Sequence, residues 1–302
     1  MKAFGIPAVT PVARAQAQGT FHRLFELAPP GRGASFLRVA ALAGAGTARL
    51  MAMECRLMEA LRAEGLPIPA CEHRDVAHDR GVHLVERGQG TSVSELEGDE
   101  PRMLQALEWV GQFLRQLHRL RGNGFGPLSA GAMEQGRFEG VHERWEDYVR
   151  LRLADHVRAC RESEAVTSGE ATEIETRFDG LSGVTSPVLL HGDPGSHNFL
   201  VDASGLRAVI DWEDALLGDP LFDLASLCTF HPERRHPAIW AGYGTQPRAG
   251  SGEWTRFWVY FLRISLAKTV HRHRFAYIDR PDRPSASRRI QLALARLREG
   301  HG

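Results

Sequence analysis

The sequence predicts an α+β chain in two lobes: a small, β-rich lobe over residues 1–87 and a larger, mainly helical lobe over residues 88–302. Three observations carry this reading. Short apolar runs bounded by turn residues dominate the first 87 positions. After them, apolar residues recur at intervals of three and four, the helical period. One strand–turn–strand segment, within residues 198–211, interrupts the helical part.

In chain order, Phe21 to Leu27 and Ser35 to Ala40 read as strands joined by the turn composition Ala28-Pro29-Pro30-Gly31-Arg32-Gly33. A helix is expected from Thr47, as its N-cap, to Gly65, a residue suited to the position after a last turn. Leu66-Pro67-Ile68-Pro69 then runs extended, because proline excludes helix there. Val82 to Glu86 is a short strand, and Arg87-Gly88-Gln89-Gly90 is the expected hinge between lobes. Pro101 opens a helix in which Leu104, Leu107, Val110, Leu114 and Leu117 form one stripe. Trp145 to Cys160 is a second helix and Glu253 to Val270 a third, with an exposed loop at Pro281 to Ser287 before a last helix.

The segment that carries chemistry is His191-Gly192-Asp193-Pro194-Gly195-Ser196-His197-Asn198, with Asp211 thirteen residues after Asn198. Phe199-Leu200-Val201 and Leu206-Arg207-Ala208-Val209-Ile210, separated by Asp202-Ala203-Ser204-Gly205, read as a hairpin with a four-residue loop. If Val201 pairs with Leu206, Asn198 lies opposite Val209, with Asp211 just beyond the same end. Two hard oxygen donors then converge, a set suited to Mg2+. Asp193, at the start of the same loop, is placed to meet an acceptor hydroxyl. The protein-kinase pattern H-R-D-x-x-x-x-N followed by D-F-G has the same Asp-to-Asn spacing, and Asp211-Trp212-Glu213 stands where D-F-G would.

Val188 through Asn198, and Ile210-Asp211-Trp212-Glu213 with Gly218-Asp219-Pro220 and Asp223-Leu224-Ala225, resemble the two signature blocks of the aminoglycoside phosphotransferase and choline-kinase-like family. The resemblance is specific over residues 188–227 and looser over 12–120. It implies a protein-kinase-like two-lobe fold and Asp193 as the catalytic base. It also implies Asn198 and Asp211 as Mg2+ ligands, Asp219 and Asp223 as braces of the loop, and His191 as a loop support.

A kinase needs a cation on the nucleotide phosphates, held by an acid from the neighbouring helix. The only lysines, Lys2 and Lys268, are not on the early strands; Arg38, in Phe36-Leu37-Arg38-Val39, is the only cation in its strand. Its fork keeps the charge while changing the geometry. Glu54 is the partner the resemblance implies: Leu50, Glu54, Leu57 and Leu61 share one helix stripe, where a carboxylate needs a partner unless, at the stripe's edge, its head reaches water. Gly19, in Gln18-Gly19-Thr20, occupies the place of the phosphate-covering turn, with a single glycine. Backbone groups near Glu86, Arg87 and Gly88 are expected to meet the base of ATP or GTP.

Composition bounds the alternatives. Lys plus Arg equals Asp plus Glu at 37 each, so the overall field indicates neither nucleic acid nor membrane as partner. The spread is uneven, however: residues 231–302 hold fourteen basic against five acidic residues. Cys55, Cys71, Cys160 and Cys228 are scattered, which argues against a disulfide framework or zinc site and for a reduced, cytoplasmic protein. No stretch reads as a signal peptide or membrane span. Oligomeric state is not encoded in any pattern of the chain. The expected partners are a nucleotide triphosphate and a small hydroxylated acceptor, such as an aminoglycoside, amino sugar or choline-like alcohol. Glu213 and Asp214 could begin an acidic pocket for a polycation, whereas the basic C-terminal stretch points the other way. Two other classes stay open: a metal-dependent phosphoesterase using His191, Asp193, His197 and Asp211 as ligands, and a nucleotide-binding module without turnover. His197 is open between phosphate contact and solvent.

Overall fold

Period-two alternation in two neighbouring strands sets which of their side chains share a sheet face. In the computed structural model, which describes residues 4, 12–18, 22–27, 33–76, 80–179, 181, 183–275 and 285–300, five strands form one antiparallel sheet. These are β1 (Val12–Gln18), β2 (His22–Leu27), β3 (Ser35–Ala40), β4 (Cys71–Val76) and β5 (Arg80–Glu86), in the order β1-β2-β3-β5-β4. Leu37 pairs with Leu84 and Val39 with Val82, and these four pack with Leu27 and Phe4 on one face. Arg38 pairs with His83 between them, so both point to the opposite face. That face is covered by α1 (Ala45–Ala63), whose Met51 carbonyl and Glu54 carboxylate meet them.

The expected strands over residues 22–27 and 35–40 are present, but β1 and β4 were not legible. Both are edges of the sheet, and edge strands carry polar residues such as those of Cys71-Glu72-His73-Arg74. Helix α1 begins two residues before Thr47, at a Gly44 N-cap that offers no side-chain bond. It ends where Gly65, at φ 78°, turns the chain. The stripe is rotated from the one expected: Met51, Glu54, Leu57 and Leu61 are buried, while Leu50 is exposed.

The chain divides into two compact units. The first unit comprises residues 1–95, 129–137 and 197–213; the second comprises 96–128, 138–196 and 214–302. The hairpin of β10 (Phe199–Asp202) and β11 (Gly205–Val209) therefore belongs with the early strands and not with the helices. The reason is its pairing: β10 is bonded to β6 (Thr91–Ser92) in a three-stranded sheet. The hairpin loop is two residues, not four, since Asp202 pairs with Gly205. The Asp202 carboxylate closes the turn by accepting from Ser204 N at 2.7 Å and Oγ at 2.6 Å.

In the second unit, α2 (Glu100–Leu117) starts on an Asp99 cap that accepts from Arg102 N at 3.2 Å, with Pro101 in its first turn. Its buried stripe holds Met103 in place of the expected Leu104, with Leu107, Val110, Leu114 and Leu117 as read. The helix expected from Trp145 to Cys160 is broken into α4 (Trp145–Val149) and α5 (Leu153–Glu162), with Arg152 left-handed at φ 57° between them. Arg263 takes up backbone oxygens at the break, donating Nε to Val149 O at 2.7 Å and Nη2 to Leu151 O at 2.6 Å. It does so from α9 (Gly252–Arg274), the expected third helix lengthened at both ends.

The helix α7 (Pro220–Thr229) was not foreseen as a helix; every residue from Leu221 to Thr229 is buried, so it shows no amphipathic period. The last helix, α10 (Ala286–Glu299), is present, while residues 281–284 of the expected loop lie outside the described residues. All four cysteines are free and buried. No helix among the described residues is long and apolar enough to cross a membrane. The architecture is α+β, as the sequence predicts.

Candidate active site

In the first unit the expected cation–acid pair is formed. Arg38 Nη1 donates to Glu54 Oε1 at 2.5 Å, from a strand residue 13% exposed to a helix residue 3% exposed. Burial pushes the Glu54 carboxyl above its ordinary range, against the pull of Arg38; the same carboxylate holds the arginine firmly protonated. Behind them His83 gives its Nε2 to Met51 O at 2.6 Å, which fixes that nitrogen as the donor because a carbonyl can only accept. Burial lowers the His83 pKa to about 3, so the ring is neutral at pH 7 and adds no charge beside Arg38.

The other end of Arg38 turns to the hairpin. Nη2 lies 3.5 Å from Asp211 Oδ1, 3.6 Å from Glu213 Oε2 and 3.3 Å from His22 Nδ1. His22 also reaches Glu213 Oε2 at 3.3 Å, and this contact holds the Glu213 carboxyl below the usual range. Glu213 is thus paired with both Arg38 and His22.

A bulge at Arg207 moves the hairpin register by one. Val201 pairs with Leu206 as expected, but Leu200 pairs with Ala208 and Phe199 with Val209. Asn198 therefore faces Ile210, whose N donates to Asn198 O at 3.0 Å, and Asp211 is the next residue. Asp211 adopts φ 67°, a left-handed conformation unusual for a residue with a side chain. Trp212 anchors the following position, buried and donating Nε1 to Val209 O at 3.2 Å. Asn198 is buried and the Asp211 side chain is 42% exposed. An amide oxygen and a carboxylate at one end of a two-strand ladder are hard donors of the kind Mg2+ takes, with positions left for phosphate oxygens and water.

In the second unit, the loop after β9 (Val188–Leu190) presents Asp193. Asp223 on α7, fully buried, accepts His191 N at 2.7 Å and Gly192 N at 3.0 Å, and His118 Nε2 lies 3.3 Å from it. Gly192 has φ 87°, and a β-carbon there would sit 1.9 Å from Asp214 O, so only glycine fits this turn. Asp219 caps α7 through Leu221 N at 3.1 Å and receives Arg256 Nε at 2.8 Å and Tyr260 OH at 2.9 Å. Asp223 thus holds the loop through His191 and Gly192, whereas these bonds of Asp219 run to α7 and α9. His191 is buried within it and His197 is exposed. Asp193 and Asp214 line a cavity of about 480 Å³, walled mainly by α9 and the α4–α5 junction.

The backbone donors of Glu86 and Arg87 are already engaged, to Ala70 O at 2.8 Å and Ala34 O at 3.0 Å. Their side chains are also committed, Glu86 to Arg62 and Arg87 to Glu26. Of the backbone groups expected to meet a base there, these two N–H donors are taken by the protein itself. Gly19 lies outside the described residues. Among the described residues, no three His, Cys, Asp or Glu side chains group as a metal ion would require.

Sequence reasoning missed His22, His83, Arg263 and Lys268. Strand alternation could have found His83, the one polar residue in the buried run Val82-His83-Leu84-Val85. The other three depend on contacts between residues distant in the chain.

The family model described as "phosphotransferase enzyme family" matches residues 18–258. The hygromycin-B 4-O-kinase of Escherichia coli is 27% identical over 220 residues, which is 67% of this chain and 59% of that relative's length. Among solved structures, the apo form of a thermostable mutant of aminoglycoside phosphotransferase APH(4)-Ia superposes with a TM-score of 0.70. It is 23% identical, over 100% of this chain and 98% of that one. A choline/ethanolamine kinase family protein from Mesorhizobium loti has a TM-score of 0.59 at 19% identity, over 99% and 92% of the two chains. These likenesses establish the protein-kinase-like fold.

Proposed function

The chain belongs to the phosphotransferase enzyme family, and on that footing we propose that it moves the γ-phosphoryl group of ATP or GTP to a hydroxyl of a small molecule. The observation that carries the proposal is the Arg38–Glu54 ion pair reaching, through the other arm of Arg38, to Asp211. A kinase uses this combination of phosphate cation, helix acid and metal-binding aspartate.

Each residue has a separate task. Arg38, oriented by Glu54, meets the α- and β-phosphates. Asn198 and Asp211 would hold Mg2+, which when bound neutralises charge on the nucleotide phosphates. Asp193 orients the acceptor hydroxyl and receives its proton as the oxygen bonds to the γ-phosphorus and the bond to the β-phosphate oxygen breaks. Asp223 keeps Asp193 in place by gripping two successive backbone N–H groups. Because the transition state is loose, positioning and charge handling outweigh base strength.

Solved complexes of the APH(4)-Ia mutants with ADP or AMP-PNP and hygromycin B support nucleotide use and a hydroxylated acceptor here. Nucleotide dependence and four free, buried thiols also support a cytoplasmic location. The test is incubation with magnesium ATP or GTP and a panel of aminoglycosides, amino sugars, choline-like alcohols and other polyols, read by the mass gain of one phosphoryl group. A phosphorylated acceptor is expected. Nucleotide-dependent stabilisation without any phosphorylated product would support a binding module instead.

A further inference from the structure

The cavity beside Asp193 carries an excess of positive charge. Among the described residues, two carboxylates, Asp193 and Asp214, line it against four cations, Arg152, Arg263, Lys268 and Arg274. His156, also in the wall, is held neutral at pH 7 by burial and the neighbouring arginines, its pKa lowered to about 4, so it does not change the balance.

The cations are not a by-product of helix termination. Cations in a last turn are favoured by the helix dipole, which accounts for Arg274. Arg263 and Lys268 lie eleven and six residues before the end of α9, beyond the reach of that effect. Residues 263–264, 267–268, 270–271 and 274–275 all line the cavity, so the charge is set on one helix face by three- and four-residue spacing. Arg263 is held by the carbonyls of Val149 and Leu151, neutral groups that orient it without cancelling its charge. Lys268 donates to Thr229 Oγ1 at 2.7 Å and stands 3.4 Å over the ring of Phe230. Arg152 and Arg274 are exposed, and neither forms an ion pair among the described residues.

Resting on the phosphotransfer reading above, we propose that the acceptor is a hydroxylated small molecule bearing an anionic group, a phosphate or carboxylate, received by the cationic wall formed by Arg152, Arg263, Lys268 and Arg274. A polyamine acceptor would place like charges together in a half-enclosed space, where the repulsion is poorly screened. An anion on the wall leaves a hydroxyl of the same molecule to Asp193.

The test compares one sugar skeleton in four charge states (glucose, glucosamine, gluconate and glucose 6-phosphate), with hygromycin B as an amine-bearing comparator. Phosphate transfer from magnesium ATP is read as kcat/KM for each. The gluconate or sugar phosphate is expected to exceed the neutral and amine forms by tenfold or more, with a KM that rises as salt is added. Arg152→Glu and Arg274→Glu should each shrink that preference at least fivefold while leaving the fold intact by circular dichroism. Equal or better transfer to glucosamine or hygromycin B, or a preference unmoved by both charge reversals, overturns the inference and leaves phosphotransfer standing. No transfer to any of the five, with nucleotide still bound, overturns the phosphotransfer reading and the inference with it.

Discussion

Arg38 and Glu54, sixteen residues apart, meet at 2.5 Å where β3 faces α1, and the pair is almost wholly enclosed. Removing one partner of a buried pair leaves the other charge without compensation. Arg38→Ala is therefore expected to lower stability by about 3–5 kcal/mol in urea denaturation. Arg38→Lys keeps a charge but cannot span Glu54 and the Asp211 side with one planar fork, so it should fold and show a raised nucleotide KM. Unchanged stability in Arg38→Ala would remove the pair from the account.

His83 gives the protein an acid-sensitive component. Its folded pKa, about 3, is depressed below the ordinary 6.5. The stabilisation it contributes is thus complete above pH 6.5 and is lost progressively as pH falls toward 3. Between pH 7 and pH 5 this amounts to about 2 kcal/mol, at about 1.4 kcal/mol per pH unit below the unfolded value. Chemical denaturation of wild type and His83→Gln across that range checks it. The variant should show a shallower fall by about that amount, and parallel curves would contradict the assignment.

Gly192 should tolerate no side chain. Gly192→Ala must accommodate both a left-handed φ of 87° and a β-carbon 1.9 Å from Asp214 O. A loss of roughly 3 kcal/mol is expected, with kcat reduced at least tenfold because the adjacent residue is Asp193. Thermal unfolding together with turnover tests it, and a fully active, equally stable variant would show that the loop adapts.

In the proposed function Asp223 acts on catalysis through position alone. Asp223→Asn keeps one acceptor oxygen for two backbone donors, so one N–H of the His191–Gly192 pair loses its partner, at about 1–3 kcal/mol. Because the loop then loosens around Asp193, kcat should fall more than the acceptor KM changes. A pure stability loss with native kcat in the remaining folded protein would limit Asp223 to a structural role.

Much of this was legible in the sequence where local chemistry and periodicity suffice. The Arg38–Glu54 pair followed from a lone cation in a strand and an acid on an apolar stripe, together with the family resemblance. The Asp193, Asn198 and Asp211 order followed from motif spacing. What escaped notice was set by distant contacts. The one-residue bulge at Arg207, the break at Arg152 secured by Arg263, and the polar edge strands β1 and β4 leave no local periodic mark. The buried helix α7 hides for the opposite reason, being apolar on every side. The fate of Glu213 was unreadable too, since it depends on His22 and Arg38 from other strands.

The central claim is tested most directly by phosphate transfer measured side by side in wild type, Asp211→Ala and Asp193→Asn, with any acceptor the panel yields. The account predicts no measurable turnover for Asp211→Ala and a kcat lowered by roughly 10²–10⁴ for Asp193→Asn, the range for losing a general base. Both variants should remain folded. Wild-type turnover from Asp211→Ala would contradict it outright.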